Sequence, residues 1–104
     1  MSKILITGAS RGLGLVAVEA FRKDEWEVFP FTRKDYDYLK PWDYVVPEVE
    51  AIIHCAGGGL GLRGPLIPAA SFYELFMVNL GGAAEINRMV IPRMKEDGYG
   101  RIVH

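Results

Sequence analysis

Apolar positions along this chain follow two periods in turn. Lys3-Ile4-Leu5-Ile6-Thr7 is a β-branched apolar run that ends at a glycine, the pattern of a strand buried on both faces inside a parallel sheet. After a Gly/Ser-containing turn over residues 8–12 the spacing changes. Leu13, Val16, Ala17, Ala20 and Phe21 fall at i, i+3, i+4, i+7 and i+8, which predicts a helix with one apolar face. Arg22 and Lys23 suit the negative C-terminal end of that helix. Trp26 to Thr32 predicts a second strand, weakened or ended by Pro30. Residues 33–49 are charged, tyrosine-rich and interrupted by Pro41 and Pro47; they hold at most a short strand near Asp37-Tyr38-Leu39 and a poor helix. Ala51-Ile52-Ile53-His54-Cys55 predicts a further buried strand, closed by Ala56-Gly57-Gly58-Gly59, and a glycine-rich loop runs on to Pro68. From Ser71 to Asp97 the residues Phe72, Leu75, Phe76, Ala83, Ile86, Val90 and Met94 support one or two helices. Gly81-Gly82 and Pro92 are points where these helices would bend, and Gly98 is a helix stop. Arg101-Ile102-Val103-His104 then begins another strand.

Strands alternating with helices predict an α/β fold, a doubly wound parallel sheet with right-handed crossovers. A chain of 104 residues is enough for one domain and too short for two. Half of the residues are apolar (50%), so a buried core is expected rather than disorder. The net charge of −1, with lysines and arginines scattered, argues against a nucleic-acid or anionic-membrane partner. No apolar run approaches the roughly 18 residues that span a bilayer, and Met1-Ser2-Lys3 runs into a strand without a signal-peptide layout. The lone Cys55 has no intramolecular disulfide partner. Together these features predict a soluble cytoplasmic protein, and no metal site is assigned.

The turn Thr7-Gly8-Ala9-Ser10-Arg11-Gly12-Leu13-Gly14 joins the first strand to the first helix. Glycines there permit a tight turn and let a pyrophosphate approach the backbone, while the N–H groups and positive end of the helix favour an anion. An ordinary strand-to-helix turn is the plain alternative, and three glycines at this spacing weigh against it. The segment resembles the T-G-x-x-x-G-x-G turn of short-chain dehydrogenases/reductases. Two literal matches to commoner glycine patterns occur. Gly12 to Ala17 fits G-x-G-x-x-A but overlaps this turn, and Gly59 to Gly64 fits G-x-G-x-x-G but leads into Pro65 rather than a helix. The resemblance runs the length of the chain. His54-Cys55-Ala56-Gly57 is similar to the family's N-N-A-G with His54 and Cys55 departing, Phe76-Met77-Val78-Asn79 resembles the helix segment bearing the active-site asparagine, and Gly100-Arg101-Ile102-Val103-His104 resembles G-R-I-V-N. It implies a Rossmann-type sheet truncated after the start of the fifth strand, an incomplete dinucleotide-binding domain over residues 1–104. It further implies cofactor contacts from Gly8, Ser10, Arg11, Gly12, Leu13, Gly14, Thr32, Arg33, Ala56 and Gly57.

At the end of the second strand an acidic side chain binds the ribose of NAD, and arginine accommodates the 2′-phosphate of NADP. Here the strand ends Phe31-Thr32-Arg33-Lys34, with Thr32 where NAD-preferring members carry Asp, and Arg11 is a second nearby cation. Together they favour NADP over NAD. Two solvated surface arginines are the plain alternative; Asp35 could still serve an NAD ribose, and Asp37 could match an adenine-contacting aspartate.

The resemblance implies an oxidoreductase that interconverts a small-molecule alcohol and carbonyl. In the family a serine and a Tyr-x-x-x-Lys do that chemistry, and they normally lie beyond residue 104. The chain alone is therefore expected to show little turnover, with Asn79 its one residue from the catalytic set. Tyr36-Asp37-Tyr38-Leu39-Lys40 has the right spacing in the wrong place, on the adenosine side of the sheet. His54 and His104 read as satisfied core histidines at strand ends, and Cys55 as a small buried apolar residue rather than a nucleophile. The alternatives are a non-catalytic nucleotide-binding or scaffold protein with a half Rossmann fold, favoured if the protein stops at His104, and another Rossmann enzyme, disfavoured by the glycine spacing. An exposed last strand and uncovered helix faces predict marginal stability and association for the 104-residue chain. The full-length parent is expected to form a homo-oligomer through the long helix near residues 78–96.

Overall fold

The structure is a computed structural model, and it describes residues 2–35, 37, 39–40, 45–58, 62 and 66–104. Four strands form one parallel sheet: β1 (Lys3–Thr7), β2 (Glu27–Phe31), β3 (Ala51–His54) and β4 (Arg101–Val103), in the order β2-β1-β3-β4. The central β1 pairs Thr7 with Phe31 on one side and with His54 on the other. All three segments that carry candidate site residues therefore leave the sheet at the same edge. This is the Rossmann-type doubly wound arrangement. The strand expected near Asp37-Tyr38-Leu39 has Tyr38 outside the described residues, while Leu39 N donates to the Asp37 carboxylate (2.9 Å) in a turn.

Alternate residues of the central strands face opposite layers. Leu5 and Ile52 pack with Ile86, Val90 and Met94 of helix α3 (Gly82–Asp97). Ile4, Ile6 and Ala51 pack with Val18 of helix α1 (Gly12–Lys23), where Ala17 and Phe21 join them. Both faces of β1 are covered, which is why its sequence shows no alternation.

One expectation is corrected by this packing. The apolar face assigned to α1 is rotated: Leu13 is 82% exposed, Val16 and Ala20 are also exposed, and Gly14 and Val18 are the buried positions. The cause is Gly14, where a Cβ would overlap the Gly8 carbonyl oxygen. The close approach of helix to turn fixes the helix phase, and side chains at 17, 18 and 21 then meet the sheet. Pro30 is the penultimate residue of β2, opposite Ile6 and near the strand end as expected, and it is tolerated there because β2 is at the sheet edge. Phe72 and Phe76 are exposed on α2 (Ala69–Phe76), and the buried apolar residues of this region are Met77, Ala83, Ile86, Val90 and Met94.

Between α2 and α3 the chain does not break at Gly81-Gly82. It continues through a π-helical turn, Met77–Gly81, that contains Asn79. Pro92 likewise sits within α3 without ending it. Gly98 stops the helix in the left-handed conformation (φ 69), with Tyr99 N donating to Met94 O (3.1 Å). Among the described residues, no helix is long and apolar enough to cross a membrane.

Candidate functional site

At the C-terminal edge of the sheet lies a cleft of about 1050 Å³. Its floor is the turn after β1, with Gly8, Ser10, Arg11, Gly12, Leu13 and Gly14 all facing it. Thr32 and Arg33, with Lys34, form one wall at the end of β2. Ala56 and Gly57, after β3, form the other. Every residue assigned from the sequence to a dinucleotide thus fronts a single concavity. Ligands of open α/β sheets bind at this edge, beyond the carboxyl ends of the strands.

Local chemistry explains why the turn holds this shape. Gly8 adopts φ 61, and a Cβ on it would come within 2.6 Å of the Cys55 carbonyl carbon, so the turn packs backbone to backbone against the segment after β3. Thr7, only 1% exposed, stitches the same two segments: its hydroxyl oxygen accepts from Cys55 N (3.1 Å) and Ala56 N (3.2 Å). Ala9 N donates to Phe31 O (3.2 Å), which holds the turn against the end of β2. Helix α1 begins with Arg11 in extended conformation and without a side-chain cap, so its first N–H groups are left for a ligand or water. No side chain blocks the approach at Gly12, where a Cβ would meet nothing within 4 Å.

The end of β2 has its own turn. Asp35 is engaged there, its carboxylate accepting from Thr32 N (2.9 Å) and from the Thr32 hydroxyl (2.9 Å). Arg11 and Arg33, by contrast, are exposed and have no ion-pair partner among the described residues.

Asn79 does not face the large cleft. It fronts a smaller adjoining cavity of about 170 Å³, together with Thr7, His54, Ala56, Val78 and His104. Its carboxamide bridges the π turn to the loop after β3: Oδ1 accepts from Gly58 N (2.9 Å), and Nδ2 donates to Gly58 O (2.9 Å) and Leu75 O (2.9 Å). These bonds tie the π turn to the loop after β3 and to the preceding turn of its own helix.

The sequence reading missed the part played by His54 and His104. His54 is half-buried and His104 is exposed, so His104 is not the core histidine expected, because β4 lies at an edge of the sheet and leaves its end open. Their rings stack with centroids 4.7 Å apart, and both address Asn87 of α3. A signal was present: Ala-Ile-Ile-His at 51–54 and Arg-Ile-Val-His at 101–104 are strand ends of the same pattern. Burial depresses the His54 pKa below 6.5, with His104 adding to the depression and the bond to Asn87 opposing it. Cys55 lines the cleft only half-buried, and burial pushes its thiol up, away from a reactive thiolate. Tyr36 and most of Gly59–Gly64 lie outside the described residues; Lys40 is exposed. Among the described residues, no cluster of three His, Cys, Asp or Glu side chains could hold a metal ion.

No protein-family model matches the chain. Its fold is similar to part of a short-chain dehydrogenase from Streptomyces avermitilis, with a TM-score of 0.75 and 20% identity over 98% of this chain and 48% of that one. In sequence it is 30% identical to the uncharacterized oxidoreductase YbbO of Escherichia coli (strain K12), over 96% of this chain and 46% of that protein. The chain resembles short-chain dehydrogenases/reductases: in sequence it is similar to curated oxidoreductases, and in fold to short-chain dehydrogenases. A shorter match, 42% identical over 55 residues, is to a 2-dehydro-3-deoxy-L-rhamnonate dehydrogenase (NAD(+)) of Sphingomonas sp. (strain SKA58), covering 51% of this chain and 22% of that one. The chain spans less than half the length of these curated relatives. In this chain the glycine turn, the two flanking walls and the asparagine-bearing π turn meet around one edge of the sheet.

Proposed function

We propose that this chain carries the NADP-binding half of an oxidoreductase that interconverts a small-molecule alcohol and carbonyl. The observation that carries the reading is the convergence of the glycine turn, Thr32-Arg33 and Ala56-Gly57 on one cleft at the carboxyl edge of a parallel sheet. The residues fit a dinucleotide. Uncapped N–H groups of α1 would hold the pyrophosphate, the open side of Gly12 gives it room, and Ala56-Gly57 would flank the adenosine. When bound, the nicotinamide supplies hydride chemistry. Asn79 acts as a positioning residue, holding Gly58 at the inner end of the site.

The choice of NADP rests on two exposed cations and one occupied carboxylate. Arg11 and Arg33 are available to a 2′-phosphate, whereas Asp35, the acid nearest in sequence, is tied to Thr32. One relative is named as NAD(+)-dependent, so the discrimination is assigned to these side chains rather than to the family. The free thiol of Cys55 fits a reducing cytoplasm. Phe72, Phe76 and Leu80, each more than half exposed along one helical run, support a homo-oligomer.

Calorimetric titration with NADPH and NADH tests the reading. NADPH should bind more tightly, and Arg33→Asp should weaken it about 10- to 100-fold while changing NADH binding little, the loss of one charge-assisted contact. Failure of both nucleotides to bind, or an Arg33→Asp protein with unchanged preference, would overturn it.

A further inference from the structure

β3 and β4 are parallel neighbours, with Ile53 opposite Val103. One residue further on, His54 and His104 come side by side, 50 positions apart in sequence yet stacked at 4.7 Å with ring planes 20° apart. Both turn Nε2 toward the same carboxamide. His54 Nε2 lies 2.8 Å from Asn87 Oδ1, and His104 Nε2 lies 3.2 Å from Asn87 Nδ2. An amide offers one acceptor and one donor. The pair must therefore present one N–H and one bare nitrogen: His54 donates from Nε2, and His104 accepts there. Turning the amide over exchanges the two histidines and leaves the requirement unchanged.

From this geometry we infer that His54, Asn87 and His104 form a proton-sensitive clamp that holds the inner wall of the cleft, so that acidification weakens dinucleotide binding. The inference rests on the nucleotide-binding reading above and assigns that site a regulation. His54, Ala56, Val78 and His104 front both the large cleft and the small cavity behind it, so the clamp is part of the partition between them. Immediately after His54 comes the Cys55-Ala56 segment, against which the Gly8 turn packs. A proton on His104 Nε2 sets N–H against N–H and removes one arm of the clamp. A second charge on the stacked neighbour would add repulsion.

Few other ionisable groups bear on the pair. Cys55, next in the chain, is kept protonated by burial. Thr7 of β1 and Asn79 of the π turn do not titrate, and on α3 Glu85 and Arg88 pair with each other. At the opposite end of β4, Arg101 lies over Tyr99. His54 acts in the same sense through burial rather than through its arm, which its donating Nε2 keeps when protonated: burial first and the charge of His104 last hold its folded pKa below the ordinary 6.5, against the bond to Asn87. Its contribution is fully present above pH 6.5 and is lost as pH falls below that value.

The test measures NADH binding at about pH 7.5 and 5.5, on either side of the histidine range, in the wild-type chain and in Asn87→Asp. NADH is the probe because it lacks a 2′-phosphate, whose own protonation near pH ~6 would imitate the effect. Wild type should lose roughly tenfold in affinity across this interval. Asn87→Asp gives the clamp two acceptors, so it should survive protonation and bind NADH with little pH dependence. A flat wild-type profile, or an Asn87→Asp profile as steep as wild type, would overturn the inference. Imidazole ¹⁵N spectra of the free chain give a readout independent of nucleotide. At neutral pH they should show one Nε2–H and one Nδ1–H tautomer, and two identical tautomers would overturn the clamp. If neither nucleotide binds while the mixed tautomers are seen, the clamp stands as a structural unit and the binding reading fails, taking with it the regulation assigned here.

Discussion

Gly14 has more influence on this molecule than any apolar side chain of α1. Its missing Cβ lets the helix lie against the Gly8 carbonyl, and that contact decides which helix positions meet the sheet. Gly14→Ala should therefore destabilise the chain by about 1–3 kcal/mol, the usual cost of overpacking against atoms that cannot yield. Val16→Ala, at a position the apolar spacing placed in the core but which is 61% exposed, should cost less than about 0.5 kcal/mol. Urea unfolding of the two variants checks this ordering, and equal effects would contradict the packing described. The residue scale also shows the limit of periodicity. Leu13, Val16 and Ala20 form a valid apolar stripe, but a backbone contact that periodicity does not register set the phase of the helix.

The long helical run from Ala69 to Asp97 is organised around its π turn. A π turn leaves backbone groups out of α-register, and Asn79 uses its carboxamide on one of them, Leu75 O, while the same group holds both polar atoms of the Gly58 peptide. Asn79→Ala removes three hydrogen bonds on an exposed residue, for a loss of about 1–3 kcal/mol. Amide exchange gives the sharper reading. The Gly58 amide should lose protection, while core amides of α3 near Ile86 and Val90 keep theirs. Unchanged exchange at Gly58 would contradict the bridge. At this scale the strands were legible, because Ile4-Leu5-Ile6 and Ala51-Ile52-Ile53 are buried on both faces and carry a continuous apolar signal. Gly98 was legible as a stop, because a left-handed residue favours glycine. Gly81-Gly82 was legible as a point of distortion, where the π turn Met77–Gly81 ends, while Pro92 stays inside α3, its local preference overruled by packing of Ile86, Val90 and Met94 in the core.

Across the whole molecule, the candidate site divides the same way. The glycine turn could be read because its residues are consecutive and its chemistry is local. Thr32-Arg33 and Ala56-Gly57 could be placed only through the family resemblance, and the parallel register of β1 with β2 and β3 is what brings them to one edge. The Thr7 stitch and the His54-Asn87-His104 cluster escaped notice because they join residues 17 to 49 positions apart along one bond and the next. The central claim, that one cleft gathers these segments around a dinucleotide, is tested most directly by ¹H–¹⁵N spectra of the labelled chain during addition of NADPH. The perturbed amides should cluster at Gly8–Gly14, Thr32–Lys34 and Ala56–Gly58, with little change along the outward face of α2. Perturbations concentrated elsewhere, or none at saturating nucleotide, would contradict it.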